Sequence, residues 1–178
     1  MAGTAEVLRG IERQPNVHYP VLVPNKRGLH TLLELLEECP PAPLPLTDEV
    51  SVFAAATEWF SLRNLNCTVA ESLKMLETVT RTALDKGLRV RGYVSMVIVC
   101  PFEGKTDPKR VRDVAKELLD MGCYEVSLGD TVGRGRPHEV AEMLEEIKKV
   151  IPVEKLAASV FFFFFILHLS NDVDFCQF

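Results

Sequence analysis

An α/β fold built on a parallel sheet is the class this sequence predicts, and three observations carry it. Short apolar runs alternate along the chain with stretches whose leucines and valines recur at helical spacing. Proline, glycine and capping residues mark the junctions. Polar residues stand just beyond the ends of several apolar runs. Strand and helix in alternation imply parallel strands joined by right-handed crossovers. Polar residues at the carboxyl ends of several strands converge on one mouth when the strands belong to a TIM-type (β/α)8 barrel. The rival, an open dinucleotide-binding sheet, requires GxGxxG after its first strand. The sequence has only GRG at 133–135, after its fourth.

The elements follow in order. HYPVLV (18–23) reads as a strand, and KRGLHTLLELLEEC (26–39) as a helix with Leu29, Leu32, Leu33 and Leu36 on its buried side. PPAPLPLTD (40–48) is a proline-broken loop and EVSVFAAA (49–56) a second strand. Residues 68–87 form a helix opened by a Thr68/Glu71 capping box and closed at Gly87, with Leu73, Leu76, Val79 and Ala83 as its apolar stripe. LRVRGYVSMVIV (88–99) is the third strand. Asp107 as N-cap and Pro108 at the first helical position open a helix through Met121, ended by Gly122. YEVSL (124–128) is the fourth strand, and 137–150 a helix packed through Val140, Met143, Leu144 and Ile147.

Composition narrows the function. The 178 residues are 47% hydrophobic and carry a net charge of −5, which leaves no basic stripe and excludes nucleic acid as the expected partner. Five widely spaced cysteines (Cys39, Cys67, Cys100, Cys123, Cys176) contain no CxxC pair and predict neither a disulfide framework nor a zinc knuckle. His18, His30, His138 and His168 show no ligand spacing. The N-terminus shows no readable targeting signal. Asn25, Thr57, Glu58, Tyr93, Ser95, Asp130 and Thr131 stand at or near strand ends and are the candidate site. Tyr93 and Ser95, two apart on a strand, share one face.

Read together, YPVLVPNKRG, VSVFAAATEWFSLRNLNCTVAES, VRGYVSMVIVCPFEGK and MGCYEVSLGDTVGRG resemble the middle of 3-hydroxy-3-methylglutaryl-CoA lyase, in order over roughly residues 5 to 158. The resemblance implies the family's eight-stranded barrel and its cleavage of the acyl-CoA substrate to acetyl-CoA and acetoacetate with Mg²⁺ or Mn²⁺. It implies leucine breakdown, ketone-body formation and the mitochondrial matrix. It makes Asp130 the catalytic candidate, and Asn25, Thr57, Tyr93, Ser95 and Thr131 substrate-binding candidates. Ala54 stands where the family has glycine, which is expected to narrow the approach to ligand. Lys105 and Arg134 are candidates for CoA phosphates.

The resemblance also marks what is missing. The family's metal-holding RDGLQ and HxH motifs and its cysteine-bearing glycine-rich loop do not occur here, so no metal ligand is assigned. Cys100, in CPFEG, matches a different family segment. The expected architecture is therefore a partial barrel of about four βα units, family strands three to six, over 1–158, followed by a divergent Phe-rich tail at 159–178. Open barrel edges predict homo-oligomerisation or aggregation. VFFFFFIL at 160–167 is too short for the ~20 residues of a membrane span, so no membrane partner is expected. The functional alternatives are a non-catalytic barrel fragment or binding module, and an acetyl-CoA-condensing enzyme of the same superfamily.

Overall fold

The computed structural model describes residues 3–39 and 43–159. Its helices are α1 (Thr4–Gly10), α2 (Lys26–Glu38), α3 (Glu58–Leu65), α4 (Val69–Asp85), α5 (Pro108–Asp120) and α6 (Pro137–Ile147). Its strands are β1 (Val21–Leu22), β2 (Glu49–Ala55), β3 (Arg89–Ser95), β4 (Val99–Cys100), β5 (Gly104–Lys105), β6 (Glu125–Gly129) and β7 (Leu156–Ser159). Five strands form one parallel sheet in the order β1-β2-β3-β6-β7, while β4 and β5 form a separate antiparallel hairpin. Every new strand joins the same advancing edge. A doubly wound sheet reverses direction at a switch point; this one never does, so it is an arc of a barrel wall.

Side-chain alternation gives the arc two faces. Val50, Val52, Val90, Val94, Val126 and Leu128 are buried and join the core formed with the helices. Gly92 lies on that side: a Cβ there would meet Leu118 of α5 at 3.3 Å and Val126 at 3.2 Å. The opposite face carries Ser51, Phe53, Arg91, Tyr93, Ser95, Glu125 and Ser127, matched across the strands by the registers Phe53↔Tyr93↔Ser127 and Ser51↔Arg91↔Glu125. Tyr93 and Ser95 share a face as expected, and it is the one turned away from the helices.

Helix starts obey local chemistry. Thr68 accepts the Glu71 N–H while Glu71 reaches back to the Thr68 N–H, the capping box read from sequence. Asp107 accepts from Lys109 N at 2.9 Å and Pro108 takes the first turn of α5. Gly87 and Gly122, with φ of 78° and 112°, supply the left-handed residues that end α4 and α5.

Several expectations are corrected. In α2 the fully buried leucines are Leu29, Leu32 and Leu35; Leu33 and Leu36 pack only partly, because the helix turns a different edge inward. The third strand ends at Ser95 instead of running to Val99. Met96 adopts φ 62°, breaks the strand and starts the path into the β4–β5 hairpin. Helices α1 and α3 were not anticipated. A fifth sheet strand, β7, follows the four expected, and it includes Ser159, so the 158/159 boundary falls inside it. The Phe-rich segment beyond it and His168 lie outside the described residues.

Candidate active site

The carboxyl ends of the strands bring Thr57, Ser95, Asp130 and Thr131 to one rim of the sheet. Strand-to-strand bonds fix that rim. Ala56 N donates to Ser95 O at 3.0 Å, and Asp130 N donates to Ser159 O at 3.0 Å. Met96 N donates to the Thr131 hydroxyl at 3.0 Å, and the Thr106 hydroxyl donates to Met96 O at 2.7 Å. The strained Met96 is thus held from both sides, and Thr131 staples the end of β6 to the end of β3.

Asp130 is 3% exposed. Its Oδ2 accepts Gly135 N at 2.8 Å and its Oδ1 accepts Arg134 N at 3.4 Å, the second being long. The carboxylate organises its own β6–α6 loop. Lone pairs remain on both oxygens beside these two contacts.

The Thr57 side chain is uncommitted. It is the N-cap of α3, is 1% exposed, makes no side-chain capping bond, and its Oγ1 has no hydrogen-bond partner. An unmatched buried hydroxyl costs about 1–3 kcal/mol and calls for an explanation. Tyr93 is more committed: its hydroxyl accepts from Arg91 Nη1 at 3.0 Å, while Arg91 Nε donates to Glu125 Oε1 at 2.7 Å. Ser95 stands half-buried beside it on the same face. Asn25 lies after β1 and caps α2, its Oδ1 accepting Gly28 N at 3.0 Å.

Other candidates are placed elsewhere. Ala54 pairs with Val94 on the helix-facing side, so its methyl cannot narrow a ligand path on the opposite face. Lys105 is ion-paired with Glu142 at 2.8 Å. Arg134 is exposed beside the Asp130 loop. His18 bonds Asp48 at 2.7 Å and contacts Arg89, at the opposite end of the sheet, and His30 pairs with Glu34 on α2. Burial pushes the Cys123 thiol up to about 12 and also raises Cys67, so neither is an activated nucleophile.

Sequence reasoning missed two residues. Arg91 could have been found, since it precedes Tyr93 by two on the same strand and shares its face. Glu103 could not: it sits between β4 and β5, yet accepts Trp59 N at 2.7 Å from a helix 44 residues earlier.

The HMGL-like family profile matches residues 4–163. The chain belongs to the HMGL-like family. Among curated HMGL-like relatives, the mitochondrial hydroxymethylglutaryl-CoA lyase of Bos taurus is 44% identical over 157 residues, covering 88% of this chain and 45% of that protein. The cytoplasmic 3-hydroxy-3-methylglutaryl-CoA lyase of Danio rerio is 45% identical over 157 residues, with coverages of 88% and 44%. Among solved structures, the HMG-CoA lyase of Brucella melitensis superposes with a TM-score of 0.82 at 42% identity, covering 90% of this chain and 53% of that one. The chain therefore spans about half the length of the HMGL-like proteins it matches.

Mg²⁺ or Mn²⁺, which the resemblance implies, needs several oxygen donors grouped around it, with or without imidazole. Among the described residues no group of three or more His, Cys, Asp or Glu is arranged to hold a metal ion. The described donor set does not fit such a site. No described helix is long and apolar enough to cross a membrane.

Proposed function

We propose that this chain supplies part of the barrel of a 3-hydroxy-3-methylglutaryl-CoA lyase, an enzyme of leucine breakdown and ketone-body formation. The observation that carries the reading is the match to a mitochondrial hydroxymethylglutaryl-CoA lyase over 157 residues at 44% identity. In the reaction, the C3 hydroxyl loses its proton and the C2–C3 bond breaks. Its electrons form the enolate of acetyl-CoA, which is protonated on carbon as acetoacetate leaves.

The described residues contribute to binding and proton handling. The Thr57 and Ser95 hydroxyls offer hydrogen bonds to substrate oxygens, while Thr131, which donates to Gly129 O and accepts from Met96 N, has a lone pair left to accept from the substrate hydroxyl, and Tyr93 and Asn25 border them. Asp130 holds the β6–α6 loop and, on this reading, is the carboxylate that handles the proton. A mitochondrial setting belongs to the same proposal, as do the acyl-CoA partner and self-association through open sheet edges.

The lack of a grouped donor set among the described residues supports a second reading, in which this chain is a non-catalytic barrel segment. One assay separates the two. Acetoacetate release from 3-hydroxy-3-methylglutaryl-CoA is measured with Mg²⁺ or Mn²⁺, using residues 1–178 alone. The expected result is no release above a protein-free control, with activity appearing when a complementary barrel segment of a relative is added. If the supplemented chain also stays silent, the lyase reading gives way to the non-catalytic one.

A further inference from the structure

Four of the described helices begin at residues whose side chains can cap them, and in three the side chain does so. Asn25, Thr68 and Asp107 each accept an N–H from the first turn of the helix they precede. Thr57 has the same role by position and an extended backbone suited to it, φ −128° and ψ 141°, yet its hydroxyl caps nothing. The contrast with Thr68 is between identical residue types.

The bond Thr57 would make is already made. An N-cap side chain accepts the N–H two or three residues on, and for α3 the first of these is Trp59. Trp59 N donates instead to Glu103 Oε1 at 2.7 Å. The other oxygen of that carboxylate accepts Arg110 Nη1 at 3.0 Å, in the first turn of α5. Arg63 of α3 lies over the Phe102 ring, 5.9 Å from its centroid. The β4–β5 hairpin therefore brings an anionic cap to the N-terminus of α3, where the helix dipole favours negative charge, and Arg110 fixes its direction.

We infer that Glu103 is a positioning residue of the mouth: it caps α3 in place of Thr57, and so leaves the buried Thr57 hydroxyl uncommitted as a donor to an oxygen of a bound acyl-CoA. The last clause rests on the lyase reading; the exchange of caps does not. It explains why Oγ1 of a residue 1% exposed has no hydrogen-bond partner within the described residues.

A substrate-free stability cycle tests the exchange. Urea unfolding is compared for the wild-type chain, Glu103→Ala, Thr57→Val and the double variant. In Glu103→Ala the Thr57 hydroxyl turns to the Trp59 N–H and takes over. In Thr57→Val the Glu103 cap persists and an unmatched hydroxyl is gone. Only the double variant loses both caps, so its unfolding constant should exceed the product of the single effects by ~5-fold, the usual scale of one lost cap. Glu103→Gln, which keeps an acceptor, should resemble wild type. Additive single effects, or a Glu103→Ala chain that fails to fold while Glu103→Gln folds, would overturn the exchange.

The ligand clause has its own readout. Trp59 is the chain's one tryptophan, so its fluorescence reports directly on this corner during titration with acetyl-CoA. Glu103→Ala should weaken acetyl-CoA binding several-fold in the wild-type background and not at all in the Thr57→Val background. Equal weakening in both backgrounds would remove the hydroxyl from the ligand's contacts. A wild-type chain that binds no acetyl-CoA would count against the lyase reading, and the urea cycle would still decide the exchange of caps.

Discussion

The Asp130 carboxylate accepts the backbone N–H of Gly135 at 2.8 Å, and this bond folds the β6–α6 loop back onto the strand end it came from. A methyl added at Gly135 would lie 2.9 Å from Asp130 Oδ2 and 3.3 Å from Ile98 Cγ1. The contact with the carboxylate can be relieved only by moving the loop or the aspartate.

Gly135→Ala should accordingly destabilise the chain by about 1–3 kcal/mol, the range for a methyl forced into a filled site. Asp130→Ala should cost a similar amount, because two loop amides lose their acceptor. Asp130→Asn keeps an acceptor oxygen and should cost less. In a catalytically complete protein, Asp130→Asn should also lower turnover by roughly 10²-fold, the scale of a positioned acid or base. Urea midpoints and acetoacetate release measure the two effects separately. A fully stable Asp130→Asn with unchanged turnover would restrict Asp130 to holding its loop.

Arg91 ties the sheet's helix-free face together. Its guanidinium bonds Glu125 across the β3–β6 pair and the Tyr93 hydroxyl along its own strand, with the Arg91 and Glu125 side chains 23% and 26% exposed. Arg91→Ala leaves a half-buried carboxylate and a phenol without their donor and should cost about 1–3 kcal/mol. Arg91→Lys should recover only part of this, since an ammonium lacks the planar fork that meets both partners. Equal stability of the Lys variant and wild type would show that charge alone suffices.

The alkaline limb of stability should carry a cysteine signature. Burial raises the Cys123 thiol from its ordinary 9.0 to about 12, and the side chain belongs to the core beneath α4 and α5. A folded-state value above the unfolded one means that the contribution is fully present below pH 9. It is lost as pH rises toward 12, because the unfolded thiol ionises first. The slope of this loss is at most about 1.4 kcal/mol per pH unit for one group. Tyr124, pushed up to about 12 by burial and by its bond to Glu49, titrates in an overlapping window. Cys123→Ala should flatten the curve between pH 9 and 10 in reducing buffer, and Tyr124→Phe the part above. An unaltered slope in Cys123→Ala would mean that the thiol is not shielded.

What was legible in the sequence follows from how local each determinant is. Helix α4 could be read almost completely because its capping box, apolar stripe and terminal glycine all lie within its own residues. Helix α3 escaped because EWFSLRNL leaves Trp59 and Leu62 exposed and so has no clean apolar stripe. Its cap comes from the distant Glu103. The end of β3 was hidden because VSMVIVC stays apolar through the Met96 break, where a tertiary staple from Thr131 decides the backbone. The rim residues were legible by position at strand ends. Their hydrogen-bond commitments were not, and these distinguish Thr57, with an unused hydroxyl, from Asn25, whose side chain serves α2.

The end of the sheet gives the last prediction. Ser159 O accepts Asp130 N at 3.0 Å and Ser159 pairs in register with Gly129, so β7 must be kept whole for the β6 terminus to be satisfied. A chain cut after Ala158 removes that acceptor and should be less stable than one cut after Ser159 by about 1 kcal/mol. Beyond Ser159 the sequence VFFFFFIL has eight apolar residues with no charge or proline, the composition of an aggregation-prone segment. It follows β7, the last strand of an arc whose outer edge has no described neighbour. Residues 1–159 should therefore be recovered in higher soluble yield than residues 1–178, which should elute as oligomer or aggregate in size-exclusion chromatography. Neither chain should release acetoacetate by itself. A monodisperse full-length monomer would mean that the Phe-rich segment finds an intramolecular place against the sheet, and the open-edge argument would fail.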